Sequence, residues 1–125
     1  MQADAVAPIA LLVDDDEVVL QIGAHMLAKL GYRVLTAESG EAALAELEQA
    51  GEVRLVLFDL SMPGLQPEEL YERMRALAPA ARFVLITGYS RDASVEAVLD
   101  RGCHGFIQKP FRLEELKHTL DALLK

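Results

Sequence analysis

Leu55-Val56-Leu57-Phe58-Asp59 is an apolar run without alternation that stops on a carboxylate. Such a run predicts a strand buried on both faces, as the central strands of parallel sheets are. A strand of that kind delivers its last residue to the carboxyl edge of the sheet, where open α/β folds hold their ligands. Asp59 is therefore the first candidate for chemistry. The competing reading is a solvated turn acid leading into Ser61-Met62-Pro63-Gly64, because Asp and Ser favour turns.

The same grammar recurs outward from this run. Ile9-Ala10-Leu11-Leu12-Val13 is unbroken and ends on Asp14, Asp15 and Asp16; Phe83-Val84-Leu85-Ile86 ends on Thr87; Gly105-Phe106-Ile107-Gln108 ends on Lys109-Pro110. Arg33-Val34-Leu35-Thr36-Ala37 is more polar and suits an edge. Helical spacing fills the intervals. Val18, Val19, Ile22, Met26, Leu27 and Leu30 precede a stop at Gly31, and Ala43, Leu44, Leu47 and Ala50 follow a Ser39 cap. Leu70, Tyr71, Met74 and Leu77 follow Pro67, a residue suited to a first helical turn. Val95, Val98 and Leu99 lead to Gly102, and Leu113, Leu116, Leu120 and Leu123 close the chain. Each set is expected to face the core.

Five strands alternating with five helices predict an α/β fold, a single doubly wound (βα)5 domain. Right-handed crossovers place helices on both faces of the sheet. In a flavodoxin-like five-stranded parallel sheet of order 2-1-3-4-5, the ends of strands one, three, four and five lie side by side. Those ends carry Asp14 and Asp15, Asp59, Thr87 and Lys109. Residues 1–8 read as a tail or linker remnant and 9–125 as the domain.

Composition narrows the function. A chain of 125 residues, 52% apolar, can bury a core without disulfides or structural metals, and wholesale disorder is excluded. Twelve basic against twenty acidic residues leave a net charge of −8, which argues against a general nucleic-acid surface. The single cysteine, Cys103, has no partner for an internal disulfide, so it reads as packing in a reducing cytoplasm. The start, Met1 to Pro8, has neither a cationic segment nor a long apolar run, so neither a signal peptide nor a membrane anchor is expected.

Three carboxylates in one crevice repel one another, and without a counterion some would hold protons. A hard divalent cation relieves this, and Mg²⁺ suits a few carboxylates with a carbonyl and waters. Mg²⁺ also favours attack of a carboxylate on phosphorus. Asp59 is then the nucleophile that becomes an aspartyl phosphate, while Thr87 and Lys109 each bind a phosphoryl oxygen.

Leu12-Val13-Asp14-Asp15-Asp16, Phe58-Asp59-Leu60-Ser61-Met62-Pro63-Gly64, Ile86-Thr87-Gly88-Tyr89 and Lys109-Pro110-Phe111, in this order and spacing, closely resemble the receiver domain of two-component response regulators. The likeness runs from about Ile9 to Lys125. It implies that Asp59 accepts phosphate from the phosphohistidine of a histidine kinase or a histidine phosphotransfer protein, and that the chain is not a turnover enzyme. It further implies that Asp15, Asp59 and the Ser61 carbonyl hold Mg²⁺ directly, that Asp14 acts through water, and that the Lys109-Pro110 bond is cis. The family's switch maps onto Thr87, which moves toward the phosphate, and Phe106, which turns inward behind it. Lacking a hydroxyl, Phe106 couples sterically. The readout surface is the fourth helix, fifth strand and fifth helix, which would serve an output domain or partner; a weak homodimer, but neither nucleic acid nor membrane, belongs to the same expectation.

Two departures from the family pattern stand out. Pro67 occupies the loop before the third helix where glycine is usual, and bulky Tyr89 follows Thr87 at two residues, where it is expected to shield the acyl phosphate and slow its hydrolysis. The wording Ile86-Thr87-Gly88-Tyr89-Ser90 resembles receivers of hybrid sensor kinases. Three rival readings fit the residues less well. A haloacid dehalogenase-like phosphatase would use Asp14-Asp15-Asp16 as its Asp-x-Asp, but only Glu114, Glu115 and Asp121 follow Lys109 as late acids. A flavin carrier lacks its phosphate loop after the first strand. A phosphotransfer module on His25, His104 or His118 conflicts with the α/β pattern, so these histidines read as ordinary surface or interface.

Overall fold

The computed structural model describes residues 7–60, 62, 64–88 and 93–124. Strands and helices alternate as β1 (Ile9–Val13), α1 (Glu17–Lys29), β2 (Arg33–Ala37), α2 (Gly40–Gln49), β3 (Val53–Asp59), α3 (Pro67–Leu77), β4 (Arg82–Thr87), α4 (Ala93–Asp100), β5 (Gly105–Gln108) and α5 (Leu113–Leu124). The sheet is parallel throughout, in the order β2-β1-β3-β4-β5. This is the flavodoxin-like arrangement read from the sequence, with the polar strand β2 at one edge.

The apolar runs are explained by what covers each face. Leu11, Val13, Val56, Phe58, Phe83 and Leu85 pack with residues of α2, α3 and α4, whereas Ala10, Leu12, Leu55, Leu57, Val84 and Ile86 pack with α1 and α5. Both faces of the central strands are dry, so no alternation is left to see. Local signals set the helix ends. Asp16 caps α1 by accepting the Val18 and Val19 N–H groups, and Ser39 caps α2 by accepting that of Ala42. Pro67 opens α3, and Gly102 follows α4 at φ +112°, a conformation that favours glycine.

Two expectations of inward-facing residues are corrected. Val18 and Ile22 are 60% and 52% exposed, and α1 instead buries Leu20, Gly23 and Leu27. The first turns of α1 are apolar on nearly every side, so periodicity does not single out one face. Packing decides it through Gly23: a Cβ there would lie 2.7 Å from Leu12 Cδ2, so this side of α1 comes closest to the sheet. Leu77, in the last turn of α3, is 42% exposed, since it overhangs the start of β3 beside Leu47 and Val53. Among the described residues, no helix is long and apolar enough to cross a membrane.

Candidate functional site

The parallel register brings the strand ends together. Val13 pairs with Phe58, Asp59 with Ile86, and Thr87 with Gln108, so Asp14, Asp59, Thr87 and Lys109 emerge at one edge of the sheet. Backbone bonds lock the turns that follow: Asp14 N–H donates to the Ala37 carbonyl at 3.1 Å, Leu60 N–H to Ile86 at 3.0 Å, and Lys109 N–H to Thr87 at 2.7 Å. The Lys109-Pro110 peptide is cis. Asp14, Asp59 and Thr87 are the buried polar side chains of the described structure.

Each of the three consecutive aspartates has a different environment. Asp14 is fully buried; one carboxylate oxygen accepts the Asp16 N–H at 2.9 Å and the other accepts the Lys109 ammonium at 3.1 Å. Asp15 is exposed, and Asp16 faces away to cap α1. Lys109 Nζ also lies 3.6 Å from Asp59 Oδ2, so one cation bridges the ends of β1 and β3. Ligand oxygens of Asp14, Asp15 and Asp59 all lie within 4.8 Å of one another.

The electrostatics reflect that crowding. Burial pushes the Asp14 carboxyl above the ordinary carboxylate range, and the neighbouring Asp59 charge adds to the push; the Asp16 N–H and Lys109 partly offset it. Burial alone would lower the Lys109 pKa, but its hydrogen bond to Asp14 and the charges of Asp59 and Asp14 outweigh this and raise it. An all-oxygen cluster around a buried carboxylate driven toward its neutral form suits a hard divalent cation.

The sequence-derived candidates Asp14, Asp15, Asp59, Thr87 and Lys109 are thus gathered at one rim. Ser61 and Tyr89 lie outside the described residues. Phe106 pairs with Leu85, two residues below the Thr87–Gln108 pair and on the same side of the pleat, where it is half-buried against the core of the α2, α3 and α4 face. Glu114, Glu115 and Asp121, the late acids that a phosphatase would need, are exposed on α5.

Two features were missed in the sequence. Exposed Val18 and Ile22 border an apolar groove of about 230 Å³, walled opposite by Lys109, Pro110 and Phe111 and so adjoining the carboxylates. Asp16 is the helix cap that also presents its N–H to Asp14. The signal for the cap was legible, as an Asp directly before an apolar helix; the groove needed the packing of α1.

Residues 10–121 match the family model of the response regulator receiver domain. The chain is 34% identical over 116 residues to the sensor kinase CckA of Brucella abortus, which covers 92% of this chain and 12% of the kinase. The chain spans half or less of the length of the curated relatives it matches. A CheY-like receiver domain from Methanospirillum hungatei superposes with a TM-score of 0.85 at 28% identity, covering 94% of this chain and 93% of the other. A Burkholderia pseudomallei response regulator, solved with a phosphorylated aspartic acid and a calcium ion, gives 0.82 at 26% identity over 90% of this chain and 66% of that one.

Proposed function

The chain belongs to the response regulator receiver domain family, and on that premise we propose that it accepts a phosphoryl group on Asp59 from a phosphohistidine of a histidine kinase or histidine phosphotransfer protein. The observation that carries this reading is Lys109, held between Asp14 at 3.1 Å and Asp59 at 3.6 Å beside the end of β4. One Asp59 oxygen attacks phosphorus; the P–N bond to the donor breaks, and its electron pair returns to the imidazole. A carboxylate nucleophile calls for no general base, so positioning and charge neutralisation carry the reaction. The Lys109 ammonium neutralises a phosphoryl oxygen as charge builds, and the Thr87 hydroxyl donates to another. Asp14, Asp15, Asp59 and the Ser61 carbonyl would hold Mg²⁺, which when bound screens the nucleophile from the incoming phosphoryl oxygens.

The donor must bring an imidazole to Asp59, so it has to seat beside this rim. The groove between Val18, Ile22 and Phe111 adjoins it through Lys109, and it fits the apolar face of a histidine-bearing helix. After transfer, Thr87 draws toward the phosphate and Phe106 follows, changing the α4-β5-α5 face that an output domain or partner reads. The kinship with CckA supports a receiver of a hybrid sensor kinase, in a cytoplasmic setting that suits a free Cys103. The chain assists its own phosphorylation and dephosphorylation and does not turn over a substrate.

Acetyl phosphate with Mg²⁺, followed by intact mass, tests the reading. Wild type should gain one phosphoryl mass, and Asp59→Asn should gain none. A folded, Mg²⁺-supplied wild type that stays unlabelled, or an Asp59→Asn variant labelled equally, rejects it.

A further inference from the structure

At the opposite end of the sheet from the carboxylates, one histidine completes a strand pairing with its side chain. The Phe83 N–H donates to His104 Nδ1 at 3.0 Å, and the His104 N–H donates to the Phe83 carbonyl at 3.0 Å. Cys103 Sγ, the preceding residue, donates to that carbonyl at 3.3 Å. The β4–β5 ladder proper begins one step later, with Val84 opposite Gly105. The imidazole therefore stands in for a backbone acceptor and extends the pairing to the first turn after α4. Phe83 is a core residue, 1% exposed, whose ring meets the edge of Tyr71 at 5.3 Å.

We propose that this contact is a pH-operated clasp: neutral His104 ties the end of α4 and the start of β5 to β4, and protonation of its imidazole opens the tie. An imidazolium has N–H on both nitrogens and no lone pair to offer, so Nδ1–H would confront Phe83 N–H donor to donor. The Phe83 amide would then lose its partner.

The surroundings resist that proton. Arg82 of β4 and Arg75 of α3 bear on the imidazole, and Arg75 donates to the Arg101 carbonyl just beyond α4 at 3.2 Å. Glu72 of α3 is engaged with Arg101 at 3.2 Å. Burial first, and then the Arg82 and Arg75 charges, hold the His104 pKa below the ordinary 6.5. A depressed pKa means that the closed form prefers the neutral ring. The stability it contributes is present above pH 6.5 and is lost as pH falls through the folded value. The consequence for signalling, an acid-loosened α4-β5 readout face, rests on the receiver reading; the titration itself does not.

Nitrogen-15 NMR on the full chain tests this without any phosphorylation. At pH 7.5, Nδ1 of His104 should be unprotonated and Phe83 N–H protected from exchange. As pH falls from 6.5 toward the lower pKa of the folded-state imidazole, that protection, corrected for intrinsic exchange, should fall by up to about tenfold per pH unit and then level off, as one linked proton requires. His104→Asn, whose amide oxygen can accept the same bond but does not titrate, should show no such fall. A proton on Nδ1 at pH 7.5, constant Phe83 protection while His104 titrates, or an equal fall in the Asn variant overturns the proposal. Should the variant not fold, the wild-type titration decides alone.

Discussion

Lys109 Nζ and Asp14 Oδ2 meet at 3.1 Å although 95 residues separate them in the chain. The pair is largely shielded from water, since Asp14 is wholly buried and Lys109 is 22% exposed at its side chain. The contact ties β1 to the turn after β5 across the carboxylate cluster.

A double-mutant cycle on Asp14→Asn and Lys109→Met should therefore return a coupling of about 0.5–3 kcal/mol, the range for directly contacting groups. Urea denaturation of the four proteins without metal measures it. Additive effects would mean that the ion pair does not couple the two strand ends.

Magnesium should stabilise the fold through the same cluster. At about a hundred times its dissociation constant, a ligand that binds only the folded chain adds about 2.7 kcal/mol. Wild type should melt higher with Mg²⁺ than with EDTA, and Asp15→Asn should lose most of that increment. Equal increments in both proteins would remove Asp15 from the ligand set.

The adjacent acids Asp15 and Asp16 should behave differently when truncated. Asp16→Ala removes the cap that accepts Val18 and Val19 N–H groups and should cost about 0.5–2 kcal/mol. Asp15 is exposed and makes no cap, so Asp15→Ala should leave stability within about 0.5 kcal/mol in EDTA. Denaturation midpoints of the two variants compare them directly, and similar losses would contradict the assignment of the cap.

Cys103 should be inert while the protein is folded. Burial pushes its thiol up to about 11 from 9.0, partly offset by hydrogen bonds from neighbouring backbone groups. That rise of about two pH units means roughly a hundredfold less thiolate near neutrality than in the unfolded chain. The sign is that of a raised acid: its stabilising contribution is complete below about pH 9 and is lost as pH climbs through about 11. Iodoacetamide labelling at pH 8 should track unfolding by denaturant; rapid labelling of native protein would place the thiol elsewhere.

The sequence alone determined the order of elements, the parallel sheet and which residues stand at its carboxyl edge. It could do so because buried parallel strands write uninterrupted apolar runs, and a polar residue at the end of such a run has only one edge to occupy, as with Asp59, Thr87 and Lys109. The Ser39 cap was legible for a similar reason, being a local contact within three residues. Tertiary structure decided the rest. Which side of the apolar α1 meets the sheet depends on how closely Gly23 approaches Leu12, so Val18 and Ile22 emerged on the surface against expectation. The grip of Lys109 on Asp14 and the seat of His104 on Phe83 join side chains distant in the chain, and their distances exist only once the sheet has closed. Periodicity reports how often a chain turns an apolar side inward, whereas the partner met there is set by packing.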